Sequence, residues 1–238
     1  MKKIIGILAP SLALCVALWA GNVSAETSLT RFENQIVSME GQPMPEPNGI
    51  VVAGSSTIRL WSTIKTDLAP LPIVQRGFGG STAAELNYYL DRIVLPYKPR
   101  AVVIYEGEND LAEKIAPERI QSEIKSIVTK IKAELPEARI YIIGVKPSIS
   151  RSYLLPATAT TNGLLAALCA KDPRLTFIDA GKGLLGADGQ PVRKYFGEDL
   201  LHLSSEGYKV WTAAIRPILL ADDKEKVPKA PTDVKVYK

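Results

Sequence analysis

Five short runs rich in β-branched residues, GIVVAGS, PIVQRG, RAVVIYEG, ARIYIIGVK and RLTFID, recur after residue 40, and stretches of helical period separate them. Near-continuous apolar runs suit strands buried on both faces, and strands joined through helices pair in parallel with right-handed crossovers. The helical period is clearest at Ile120, Ile124, Ile127, Val128, Ile131 and Leu135, entered through Pro117 at a first-turn position. The pattern predicts a single α/β domain, doubly wound in three layers around a mostly parallel five-stranded sheet. At 238 residues and 46% hydrophobic composition the chain has apolar material for one such core.

The two ends read differently from this domain. Lys2 and Lys3, the apolar run IIGILAPSLALCVALWA and the small-residue close VSA make residues 1–25 a secretory signal peptide cleaved after Ala25. Pro10 interrupts the run, which argues against a retained membrane anchor, and Leu14 before Cys15 argues against lipidation. Residues 26–220 then form the domain, with SLTRFENQIVSME as an N-terminal helix, and residues 221–238 form a charged tail. An exported protein, periplasmic or secreted, with no integral membrane segment after cleavage is the expectation.

Charge and cysteine narrow the function classes. Without the two lysines of the leader, 27 of the 29 basic residues face 25 acidic ones, a formal charge of +2 that implies no nucleic-acid partner. Cys169 alone remains after cleavage, so no intrachain disulfide can form, and its apolar helical setting suits a packed thiol.

In open parallel sheets chemistry gathers outside the carboxyl ends of the strands. The first turn there, GSST at 54–57, is an ordinary N-cap or an exposed serine whose neighbouring amides face any forming negative charge. The second, RGFGGST, carries Gly77, Gly79 and Gly80 and reads as a tight turn or an anion nest, without the spacing of a dinucleotide or P-loop site. The third, EGEND, offers Asn109 as an uncharged amide donor or a turn former, and its acids Glu106, Glu108 and Asp110 offer oxygens to a hard cation. In a flavodoxin-like strand order 2-1-3-4-5 these turns lie side by side.

One histidine serves the whole chain, and it stands three positions after Asp199 in EDLLHLSSEGY. A carboxylate so placed can hold one imidazole nitrogen while the other faces Ser56, which is the requirement of acyl transfer. A lone histidine and a lone cysteine exclude zinc sites built on two or three histidines.

The four blocks AGSSTIRLW, RGFGGST, YEGEND and DLLHLSSEGY occur in this order between residues 53 and 208, and the chain thereby resembles the GDSL esterases, also called SGNH hydrolases. The resemblance implies that fold, with Ser56 as nucleophile, His202 as base and Asp199 as its orienter. It also implies an oxyanion hole from Ser56, Gly80 and Asn109, no metal and no cofactor. Ser55 replaces the aspartate of the family's name, a position that is not itself catalytic.

With most of the chain used by βα units, a shallow site for short acyl esters, such as acetylated carbohydrates, is expected. Arg59, Phe78, Tyr88, Tyr89, Tyr105 and Arg151 are candidates for its rim. Lysophospholipase or thioesterase activity, a carboxylate-pair glycosidase and a non-catalytic binding module with the same fold are the alternatives.

Overall fold

The computed structural model describes residues 29–225, with side chains through 222. The leader, its cleavage point and residues 226–238 of the tail lie outside the described residues. After a 3-10 turn at Thr30–Phe32, the elements run α1 (Glu33–Glu40), β1 (Ile50–Gly54), α2 (Ser56–Arg59), α3 (Ile64–Asp67) and β2 (Ile73–Gly77). There follow α4 (Ala83–Ile93), β3 (Ala101–Tyr105), α5 (Glu108–Ala112), α6 (Pro117–Glu134) and β4 (Arg139–Ile143). The last are α7 (Leu155–Cys169), β5 (Leu175–Ile178) and α8 (Ser205–Glu225).

The five strands pair in the order β2-β1-β3-β4-β5, and every pairing is parallel. Alternation along each strand divides the core in two. Val51, Ala53, Val102, Ile104, Ile140 and Ile142 pack with α1, α4, α6 and α7 on one face. Ile50, Val52, Ala101, Val103, Tyr141 and Ile143 pack with α2, α3 and α8 on the other. A fully buried aliphatic side chain of this kind contributes on the order of 1.5–3 kcal/mol. The expected three-layer doubly wound sheet is therefore the one formed.

Helix starts follow local chemistry. Pro117 opens α6 with its fixed φ, and Ile120, Ile124, Ile127, Val128 and Ile131 bury one stripe of that helix. Thr82 and Glu85 form a reciprocal capping box at the head of α4. Helix α8 continues through Glu225, five residues into the segment read as tail; the apolar stripe that includes Trp211, Ile215 and Leu219 carries the helix past Leu220.

Register sets up the site. Gly54 lies opposite both Gly77 and Tyr105, so the first three strands end level with one another. Three turns thus emerge at one edge of the sheet. On the far side of α2, Trp61 stacks on Tyr208 at 5.4 Å and meets Trp211 edge-on at 6.0 Å, while the Tyr208 hydroxyl donates to the Thr57 carbonyl at 2.9 Å. These contacts fix α2 against α8.

Candidate active site

The first strand delivers Ser56 through a turn that only glycine can make. Gly54 has φ +150°, and a side chain there would meet the Tyr105 carbonyl oxygen at 2.1 Å. The Ser55 amide donates to that carbonyl at 3.2 Å, and Ser56 begins α2 directly after it, half-buried.

His202 reaches Ser56 from the other end of the chain. Its Nε2 lies 2.8 Å from Ser56 Oγ, and its Nδ1 lies 2.6 Å from Asp199 Oδ2. The Asp199 carboxylate also accepts the amides of Leu201 at 3.0 Å and His202 at 2.9 Å through Oδ1. Partial burial works against the charged carboxylate, but the hydrogen bonds from the ring and the two amides outweigh it and bring the carboxyl down to about 2. The carboxylate stays ionised beside the ring.

Asn109, on α5, donates through Nδ2 to the Ser81 carbonyl at 2.9 Å, and its Oδ1 accepts Arg151 Nη1 at 3.2 Å. The arginine fixes which end of the amide is the donor. Gly80 adopts φ +85° with open space where a side chain would stand, so its glycine answers a backbone demand and not a steric one. Among the described residues the amides of Ser56 and Gly80 have no hydrogen-bond acceptor, which leaves both available to a forming anion. Arg31 Nη2 holds the Gly80 carbonyl at 3.3 Å while pairing with Glu85.

The structure thus brings together Ser56, Asp199 and His202, with Gly80 and Asn109 at the adjoining turns. It corrects part of the expected rim. Phe78 is fully buried, edge-on to Phe32 at 5.2 Å and to Tyr89 at 6.0 Å, and Tyr89 is buried with it. Tyr105 is likewise buried, packed edge-on to Trp211 at 4.9 Å with its hydroxyl donating to Glu108 at 2.9 Å. Phe78 keeps the face of Val74 and Tyr105 the face of Val103, so both continue their strands' alternation into a core. Tyr88 is exposed on α4, Arg59 is exposed at the end of α2, and Arg151 is half-buried beside Asn109.

Sequence reasoning missed the segment after β4. Lys146, buried, donates from Nζ to Glu108 Oε1 at 2.8 Å and to the Leu201 carbonyl at 2.7 Å. The amides of Ile149 and Ser150 both donate to the Leu200 carbonyl at 3.0 Å, holding Leu200 at φ +58°. One segment therefore grips the residues just before His202 and the residue just before Asn109. A lysine closing the apolar run of β4 at the reactive edge was the available signal.

The acids of EGEND are separately engaged. Glu106 accepts Ser81 Oγ at 2.6 Å, Glu108 pairs with Lys146, and Asp110 accepts the Ala83 amide at 3.0 Å. Burial, with the Asp110 charge beside it, pushes Glu106 well above the usual carboxylate range, against the pull of the Ser81 hydroxyl. Burial raises Asp110 to about 6, against the Ala83 amide. Among the described residues no group of three or more such side chains is arranged to hold a metal ion.

A parallel α/β sheet with a serine, an imidazole and a carboxylate hydrogen-bonded in series at its carboxyl edge defines a class of protein, the hydrolases. The chain belongs to the GDSL-like lipase/acylhydrolase family, whose model matches residues 52–210. It is 28% identical over 179 residues to platelet-activating factor acetylhydrolase IB subunit alpha1 of Bos taurus, covering 72% of this chain and 75% of that one. Its fold matches a GDSL-like lipase from Bacteroides thetaiotaomicron with a TM-score of 0.68 at 19% identity, over 82% of this chain and 99% of that one. A catalytic mutant of an acetylxylan esterase from Geobacillus stearothermophilus matches with a TM-score of 0.59 at 12% identity, over 72% and 94%. Among the described residues no helix is long and apolar enough to cross a membrane.

Proposed function

We propose that this hydrolase is an exported serine esterase that cleaves short-acyl carboxylic esters, acetylated carbohydrates among them, through an acyl-enzyme on Ser56. The observation that carries the reading is the series Asp199–His202–Ser56, at 2.6 and 2.8 Å. His202 Nε2 takes the hydroxyl proton as Ser56 Oγ attacks the ester carbonyl carbon. The amides of Ser56, Gly80 and Asn109 receive the oxyanion. Collapse breaks the bond to the alcohol, which leaves with the proton from His202. A water molecule, deprotonated by the same ring, then attacks the acyl-enzyme and frees the acid and Ser56.

The half-exposed Asp199 and the partly exposed His202 support an open site that suits small esters. The acetyl groups in the names of the bovine relative and of the xylan esterase support a short acyl chain. Export rests on the sequence of residues 1–25.

The test is hydrolysis of p-nitrophenyl acetate by protein beginning at Glu26, beside Ser56→Ala, followed by butyrate and longer esters. Turnover that vanishes in the variant and declines with chain length is expected. A preference for long chains or thioesters would replace the substrate class by a lysophospholipase or thioesterase. Turnover equal in both proteins, or absent from both, would leave a ligand-binding module.

A further inference from the structure

Arg59 is the last residue of α2 and stands one helical turn after Ser56. Residues so spaced share a helix face, with about 5–6 Å between their Cβ atoms. Every other arginine among the described residues has an ion-pair, hydrogen-bond or other partner for its side chain; the Arg59 guanidinium has neither an ion pair nor a hydrogen bond. Its guanidinium is nevertheless placed. A side chain at Gly79 would meet Arg59 Nε at 2.8 Å and Nη2 at 3.1 Å, and one at Gly77 would meet the Arg59 backbone nitrogen at 2.2 Å.

Two of the three glycines in RGFGGST therefore clear space for this residue, Gly77 for its backbone and Gly79 for its guanidinium. Burial raises the Tyr208 hydroxyl, and the positive charge of Arg59 opposes that rise, so the guanidinium also acts on the aromatic wall behind α2. On the far side of the site Arg151 spends Nη1 on Asn109 and on the Glu108 carbonyl. Arg59 alone presents a whole planar fork of donors to the solvent beside Ser56, in the geometry that matches a carboxylate or a phosphate.

We infer that Arg59 is an anion subsite and that the substrate is an ester bearing a carboxylate or phosphate group within its reach. This rests on Ser56 as the nucleophile. The guanidinium, preset over Gly79, binds the anion without displacing an internal partner, and the negative group registers the ester carbonyl over Ser56.

The experiment compares kcat/KM for matched anionic and neutral esters in wild type, Arg59→Gln and Arg59→Glu. Mono-p-nitrophenyl succinate against p-nitrophenyl pentanoate carries the charge on the acyl side; 4-acetoxybenzoate against phenyl acetate carries it on the alcohol side. The wild-type preference for the anionic member of one pair should fall about five- to tenfold in Arg59→Gln and reverse in Arg59→Glu. The pair that responds identifies which side of the ester carries the charge. High salt should weaken the wild-type preference and leave the glutamine variant flat. Ratios unchanged by both substitutions, with neutral turnover still dependent on Ser56, overturn the subsite and spare the esterase. Should neutral turnover be absent or indifferent to Ser56→Ala, calorimetric titration with glutarate decides: heat of binding lost in Arg59→Glu supports the subsite, and equal or absent heat in both proteins overturns it.

Discussion

The carboxylate of Asp199 grips His202 twice, taking the ring at 2.6 Å through Oδ2 and the backbone amide at 2.9 Å through Oδ1. A single side chain thus fixes both the loop and the tautomer of the residue three positions on. The same carboxylate is half-exposed, so its role is orientation and not core stability. Asp199→Asn should lower kcat by about 10³–10⁴ while the melting temperature stays within a degree or two. Full activity in that variant would remove Asp199 from the mechanism.

Acidification should quench turnover by protonating the ring nitrogen that faces Ser56. Asp199, at about 2, remains charged throughout and contributes no second step. A kcat/KM that does not fall on acidification would contradict a histidine base.

Asn109→Ala removes the side-chain donor of the oxyanion turn. A loss of about 10²–10³ in kcat, roughly 3 kcal/mol, is expected with KM little changed. A rise in KM at constant kcat would make Asn109 a substrate-binding residue instead.

Lys146→Met breaks a buried ion pair and leaves Glu108 with the Tyr105 hydroxyl and the more distant Arg151. Destabilisation of about 3–5 kcal/mol is expected from urea unfolding, and the double variant Lys146→Met with Glu108→Leu should recover much of it. Because the lost ammonium also held the Leu201 carbonyl, the double variant should stay slow in catalysis after its stability returns. Recovery of full rate would show that the brace serves folding alone.

Asp110 titrates in the other direction from Asp199. Burial lifts its carboxyl from 3.8 to about 6, so the folded state favours the protonated form. The stability this confers is complete below the unfolded value and drains as pH rises through about 6. Between pH 4 and pH 7 the wild type should lose on the order of 2–3 kcal/mol relative to Asp110→Asn, whose side chain still accepts the Ala83 amide. Parallel stability curves for the two proteins would refute this.

The sheet was legible because its strands are buried on both faces: runs such as AVVIY leave little room for another reading. Asp199 and His202 could be paired from the sequence because they stand three positions apart, and Ser56 could be set against them because it opens the first strand-to-helix turn at the reactive edge of the sheet. Phe78 and Tyr105 misled because residues beside glycines and turns look exposed, although parity along β2 and β3 already assigned them to core faces. Lys146 and Arg31 were not legible because their partners, Leu201 and Gly80, lie 55 and 49 positions away, and no local pattern encodes such a pairing.

The bond from Arg31 to the Gly80 carbonyl ties the segment ahead of the first strand to the glycine turn that adjoins Ser56. Protein that begins beyond Arg31 would keep the sheet and the Ser56–His202 pair yet surrender the side chain that holds the Gly80 carbonyl. The place where the chain may be shortened, fused or tethered is thereby limited: a handle belongs before residue 29, and a cut after Arg31 reaches the chemistry from the outside.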